Sequence, residues 1–265
     1  MASVPKFPLL GPTVSVIRLS GVIAAGAGGS VNDQVMAPVM ERAFRRRRLA
    51  AVALVVNSPG GSPVQSALVA ARVRRLAEER DVPVHAFVED VAASGGYWIA
   101  AAADQIWVDP ASIVGSIGVI YSAFGLHEFI ERHGIERRLY TAGERKSFMD
   151  PFLPVKPDDE TRLSGLQRDL HALFIEHVRT RRGARLADDE TLFSGDVWLG
   201  QKAVSLGLAD GIGHLVPKMK SLYGDRVRFR EFAPRRPFLR RLGSRVAAGA
   251  WSELEERAHR ARWGH

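Results

Sequence analysis

The chain has 265 residues, 46% of them hydrophobic and 25% charged, with no cysteine and a net charge of +8. That composition allows a sizeable core and excludes a disulfide framework and thiolate chemistry. No apolar run approaches the ~20 residues of a membrane span, and the first ten residues hold two prolines and a lysine rather than the apolar stretch of a signal peptide. A soluble protein is therefore expected, cytoplasmic or peripherally membrane-associated. The charge is uneven: residues 217–265 carry 13 Lys and Arg against 5 Asp and Glu, so the tail holds the whole excess.

In chain order, residues 14–19 form a short β-branched run that reads as the first strand. Residues 21–29, rich in Gly and Ala, read as a loop. Asn32 or Asp33 then caps a helix with Val35, Met36, Val39, Met40 and Phe44 on one side, Pro38 falling near its first turn. Arg45 to Arg48 end it with cations that suit the negative end of its dipole; a nucleic-acid patch is the less favoured reading. Residues 51–56 are uninterruptedly apolar, as in a central parallel strand covered on both faces. A turn, Asn57-Ser58-Pro59-Gly60-Gly61-Ser62, leads into a helix over 64–80 with Ala67, Leu68, Ala71, Val73 and Leu76 in helical rhythm. A second apolar strand, 82–88, runs into Ala92-Ala93-Ser94-Gly95-Gly96-Tyr97 and another helix reaching Ala103. Residues 105–108 and 138–141 read as strands, 126–132 and 158–182 as helices. Strand–loop–helix units in succession predict an α/β fold with a mainly parallel sheet. The body is expected to end near Asp225, leaving 226–265 as a basic, helical tail.

Two glycine-rich turns each follow a buried strand and open a helix, which directs unpaired backbone N–H groups at whatever lies beyond the strand ends. One holds Gly61. The other offers Ser94 between the small residues Ala93 and Gly95, and a hydroxyl beside such donors suits acyl transfer, where charge develops on a carbonyl oxygen. By itself a Ser in this setting is more often a plain N-cap. Neither turn has the Walker or dinucleotide spacing, and no cofactor is implied. Of eight histidines none lies in an evident Gly-rich or strand-end setting. Lysine is scarce, and Lys146 sits in the turn Ala142-Gly143-Glu144-Arg145-Lys146-Ser147. A lysine can act as a base once burial lowers its pKa, although a bare lysine in a turn is more often a surface charge.

The ordered set of Asn57 to Ser62, the Ala-Ser-Gly-Gly-Tyr around Ser94, Gly115-Ser116-Ile117-Gly118-Val119 and the Gly-x-x-Lys turn at Lys146 resembles the signal peptide peptidase family of the SppA type. The segments Gly195-Asp196-Val197-Trp198 and Gly207-Leu208-Ala209-Asp210 are similar to that family's ending, so the resemblance covers residues 14–213. It implies a ClpP/crotonase-like fold and a Ser–Lys dyad, with Ser94 as nucleophile and Lys146 as general base. It further implies that the Ser116 hydroxyl orients the lysine, that Gly61 and Gly95 supply the oxyanion N–H groups, and that copies assemble into a ring cleaving peptides. The N-terminal membrane anchor of many members is not expected in this chain.

Within enzymes, a Ser-His-Asp peptidase lacks its histidine between residues 95 and 126, and a crotonase-type acyl-CoA enzyme lacks acidic residues in the second glycine-rich turn. A non-catalytic scaffold binding peptides or membrane partners is the alternative from another class. In the tail, Phe238, Leu242, Val246 and Trp251 among Arg240, Arg241 and Arg245 suit a basic amphipathic helix on an anionic membrane, or one packed on its own oligomer. Nucleic acid is not the expected partner.

Overall fold

The computed structural model describes residues 11–26, 30–143 and 145–234. They fall into two compact units, one drawn from Met1–Ile117 and Ile175–His265, the other being Gly118–Phe174. The first unit opens with β1 (Thr13–Ser20), α1 (Asp33–Phe44), β2 (Leu49–Ser58), α2 (Pro63–Arg80), β3 (Val84–Ala93), α3 (Gly95–Ala101), β4 (Gln105–Val108) and β5 (Ile113–Gly115). The second unit contains α4 (His127–Arg132) and the start of α5 (Pro157–Arg182), whose last turns belong to the first unit. There follow β6 (Val197–Leu199), α6 (Gly200–Ser205), β7 (Gly211–Ile212), α7 (Leu215–Tyr223) and β8 (Arg228–Phe232).

The sheet runs β6-β5-β3-β2-β1-β8, with β4 between β3 and β7 off that path. Every pairing is parallel except β5 with β6. This is the α/β, mainly parallel architecture expected from the strand–helix alternation. The run 51–56 within β2 is buried throughout, as a strand covered on both faces requires. One face packs Val16, Ala53, Val55, Phe87 and Trp107 against Met219 of α7.

β3 is forked. Its residues 85–88 pair with β4 and 91–93 with β5, while Glu89 and Asp90 pair with neither. Ser112 bridges the gap, its hydroxyl donating to the carbonyls of Val88 (3.2 Å) and Glu89 (2.5 Å). At the same level the β2–β3 register shifts between Val56 and Ser58, a bulge of the kind found beside functional sites.

Caps and ion pairs fix the helices. The Asn32 side chain accepts the Val35 N–H at 2.9 Å, and Asp33 takes two bonds from the Arg72 guanidinium, at 2.6 and 2.8 Å, tying α1 to α2. Pro38 lies inside α1, one turn deeper than the sequence suggests, at the cost of one helical N–H bond. In α2 the buried face is Ser66, Val69, Ala70, Val73, Leu76 and Ala77. Leu68, expected to face inward, is 45% exposed and Val64 62% exposed; the small Ser66 and Ala70 let the helix sit close on that side instead. The sheet also continues past Asp225, where the body was expected to end, because β8 pairs in register with β1. The amphipathic helix expected around Phe238, Leu242, Val246 and Trp251 lies outside the described residues.

In the second unit no strand forms at 138–141. Leu139 and Tyr140 are exposed there, and the segment has no ladder partner to use its β-prone residues. The unit is held by polar links, Arg137 with Asp150 (2.5 Å) and Arg145 with Asp158 (3.7 Å). Arg137 also lies over the Phe152 ring at 4.9 Å and Arg162 over Phe148 at 5.2 Å. Among its described residues only Phe174 is buried.

Candidate active site

Ser94 stands where β3 turns into α3. Its backbone has φ 50° and ψ −121°, a region that a residue with a Cβ occupies only under strain. Ser94 occupies the N-cap position, yet its hydroxyl makes no capping bond. The plain capping role that a Ser in this setting usually fills is therefore absent, and the side chain stays available, half-buried. The backbone is held on both sides: the Ser94 N–H donates to Gly115 O at 2.8 Å, and Ser94 O accepts the Trp98 N–H at 3.0 Å.

The second turn lies against the first. Gly60 and Gly61 have φ of 103° and 141°, conformations open to glycine without strain. A Cβ on Gly60 would stand 2.9 Å from the Ser94 Cβ and 2.8 Å from the Gly95 nitrogen. The Ile23 N–H donates to Gly60 O at 2.8 Å and Ile23 O accepts the Ser62 N–H at 2.7 Å. In this parallel bridge the bonds come from the residues flanking Gly61, so the Gly61 N–H points away from Ile23. A Cβ on Gly95 would collide with the Ser66 hydroxyl and lie 3.4 Å from the Gly61 nitrogen. Neither the Gly61 nor the Gly95 N–H has an acceptor among the described residues. Two unused donors beside an available hydroxyl form the arrangement that stabilises an oxyanion, and the start of α3 adds its positive end.

Ser116 joins the same cluster through the backbone. It follows Gly115, whose carbonyl receives the Ser94 N–H, and its own N–H donates to Asp196 O at 2.7 Å. Gly115 has φ 117° and Ser116 φ 53°. A Cβ on Gly115 would meet the Trp198 ring at 2.7 Å, so β6 closes directly over this turn. Ser94, Gly61, Gly95 and Ser116 thus converge in the first unit. Lys146 belongs to the second, in a turn where its N–H donates to Gly143 O at 3.2 Å, and its side chain is exposed.

Sequence reading missed two features. Nothing in the residue string announces the strained backbone of Ser94, although a small-Ser-Gly step between strand and helix is its compositional trace. His214 also proves to stand at a strand end, just after β7, with its Nε2 2.8 Å from Asp109 Oδ2 beyond β4. The Asp109 carboxyl is held below its ordinary range, first by the Ala111 N–H and then by His214.

A family model described as Peptidase family S49 matches residues 77–223, a span containing Ser94, Ser116 and Lys146. Two similar curated proteins carry different names. The Na(+)/H(+) antiporter NhaA of Brucella melitensis is 46% identical over 240 residues, covering 89% of this chain and 32% of that protein. The chloroplastic serine protease SPPA of Arabidopsis thaliana is 29% identical over 203 residues, covering 76% of this chain and 29% of that one. The chain therefore spans about a third of the length of these relatives. Among the described residues no helix is long and apolar enough to cross a membrane.

Proposed function

Because the chain belongs to peptidase family S49, we propose that it is a serine endopeptidase in which Ser94 attacks the peptide carbonyl and Lys146 is the general base. The observation that carries the reading is the Ser94 turn, whose hydroxyl makes no capping bond and which lies against the Gly60-Gly61 turn, with the Gly61 and Gly95 N–H groups lacking an acceptor among the described residues. A neutral Lys146 amine takes the Ser94 proton as the oxygen attacks, and the Gly61 and Gly95 N–H groups hold the developing oxyanion. The resulting ammonium protonates the leaving amine. Water, deprotonated by the same amine, then releases the acyl group and restores Ser94. The Ser116 hydroxyl orients the lysine between these transfers. The exposure of Lys146 in the single chain fits a further part of the reading: the protein works as a homo-oligomer in which a neighbouring copy or the bound peptide desolvates the lysine. The substrates are peptides, cleaved signal peptides among them, and the basic tail touches anionic membrane. The ion transport stated in the Brucella name belongs to a protein of which the match spans 32%, and we do not extend it to this chain.

The test compares wild type with Ser94→Ala and Lys146→Ala, using a fluorophosphonate probe and a peptide library. Wild type is expected to label at Ser94 and to cleave. Both variants should lose at least about a thousandfold in rate. Cleavage that survives Ser94→Ala would refute the assignment, and a wild type that neither labels nor cleaves would leave the non-catalytic scaffold in its place.

A further inference from the structure

α3 is a helix of seven residues, so most of its backbone groups are end groups without a helical partner. Its carbonyl end is taken up by α5. The Ala102 N–H, which an α-helix would direct to Trp98 O, donates instead to Ile99 O at 3.1 Å. Trp98 O is bonded by His177 Nε2 at 2.9 Å. Further along, the carbonyls of Ala101, Ala102 and Ala103 all accept from the Arg181 guanidinium at 3.2 Å, a cation at the negative end of the helix. The imidazole of His177 is also stacked on the Trp98 indole, with centroids 5.0 Å apart and planes 15° apart.

These contacts form a relay. His177 fixes the Trp98 peptide from one side, and on the other the Trp98 N–H donates to Ser94 O at 3.0 Å. We propose that His177 is a positioning residue for the nucleophile, holding Trp98 and through it the strained Ser94 turn. This rests on Ser94 being the nucleophile. A carbonyl can only accept, so the relay requires the Nε2–H form of the ring. His177 is kept neutral first by burial, with Arg181 acting in the same direction and the Trp98 carbonyl against it. With one proton to place, the neutral ring puts it on Nε2 and leaves Nδ1 bare.

Two substitutions separate the hydrogen bond from the packing. H177F keeps a ring over Trp98 and cannot donate; H177Q donates through its amide. Relative to wild type, H177F is expected to lower kcat and the rate of Ser94 labelling by about tenfold, because a small displacement of a reacting group is costly. KM should stay within about twofold, since no substrate contact is removed, and H177Q should recover most of the rate. A residue that merely fills space would give the opposite order, with Phe tolerated better than Gln. H177F labelling at the wild-type rate overturns the inference and leaves Ser94 standing. Wild type failing to label removes the nucleophile and this inference with it. Should H177F not fold, imidazole nitrogen NMR of histidine-labelled wild type decides: the Nε2–H tautomer is expected at His177, and the Nδ1–H tautomer refutes the relay.

Discussion

At Ser94 the backbone conformation costs about 1–3 kcal/mol for a residue with a Cβ, and the surrounding bonds to Gly115 and Trp98 hold it there. Replacing Ser94 by Ala or by Gly removes the hydroxyl in both cases, but only Gly relaxes the strain. The Gly variant is expected to melt about 2–6 °C above the Ala variant, with neither labelled by the probe; equal melting temperatures would show that the turn is unstrained. Next to it, Gly95→Ala drives a Cβ into the Ser66 hydroxyl beside the Gly61 nitrogen. A loss of about tenfold or more in labelling is expected, as for a displaced oxyanion donor. Adding Ser66→Ala should restore part of that rate by clearing the space, and a double variant no better than Gly95→Ala would contradict the steric cause.

Among the elements, the link between α1 and α2 sets a pH dependence. The Asp33 carboxyl is held below its ordinary range, chiefly by its bonds from Arg72, against an opposing effect of burial. A carboxyl lowered in the folded state adds stability above its ordinary pKa and loses it as pH falls through the folded value. Asp33→Asn should therefore destabilise by about 1 kcal/mol at neutral pH, the gap closing in acid as pH falls through the folded value. Urea unfolding at neutral and acid pH measures this, and a gap that persists in acid would exclude the charge as its origin. The long elements were legible because their signals are local: the apolar run of β2, the Asn32 cap, the charge-rich rhythm of α5. Less was legible where neighbours decide. β5 and β6 have three residues each and β7 two, too few to show a period, and β8 reads Arg-Phe-Arg-Glu-Phe, a charged edge. The face of α2 was partly misread: Val73 and Leu76 face inward as expected, but the small Ser66 and Ala70 share the buried side in place of Leu68. At the site, residue types were legible from the ordered motifs, whereas the Ser94 conformation and the contact of β6 with Gly115 arise only from tertiary packing.

For the whole molecule, the two units differ in how they are stabilised. The first has a continuous core; the second has none of its described residues buried before Phe174. Limited trypsin treatment is therefore expected to cut within residues 118–174 first, among Arg132, Arg137, Arg138 and Arg145, because cleavage follows the stretches that open most easily. Peptide mass mapping over time reads this, and first cuts in the sheet-bearing unit would contradict it. Self-association should protect those same arginines, so slower cutting at high protein concentration is expected of the proposed oligomer.

The fork in β3 has its own outcome. Above Glu89 and Asp90 the strand keeps three residue pairs with β5 and one with β2, whereas four pairs with β4 and five with β2 lie below. Amide hydrogens at 91–93 and 113–115 should thus exchange with deuterium through local opening, well before those at 52–56 and 85–88, which wait for global unfolding. The stretch that leads into Ser94 can breathe while the lower ladder stays shut, and that leaves the turn proposed to hold the nucleophile free to adjust without unlocking the fold beneath it.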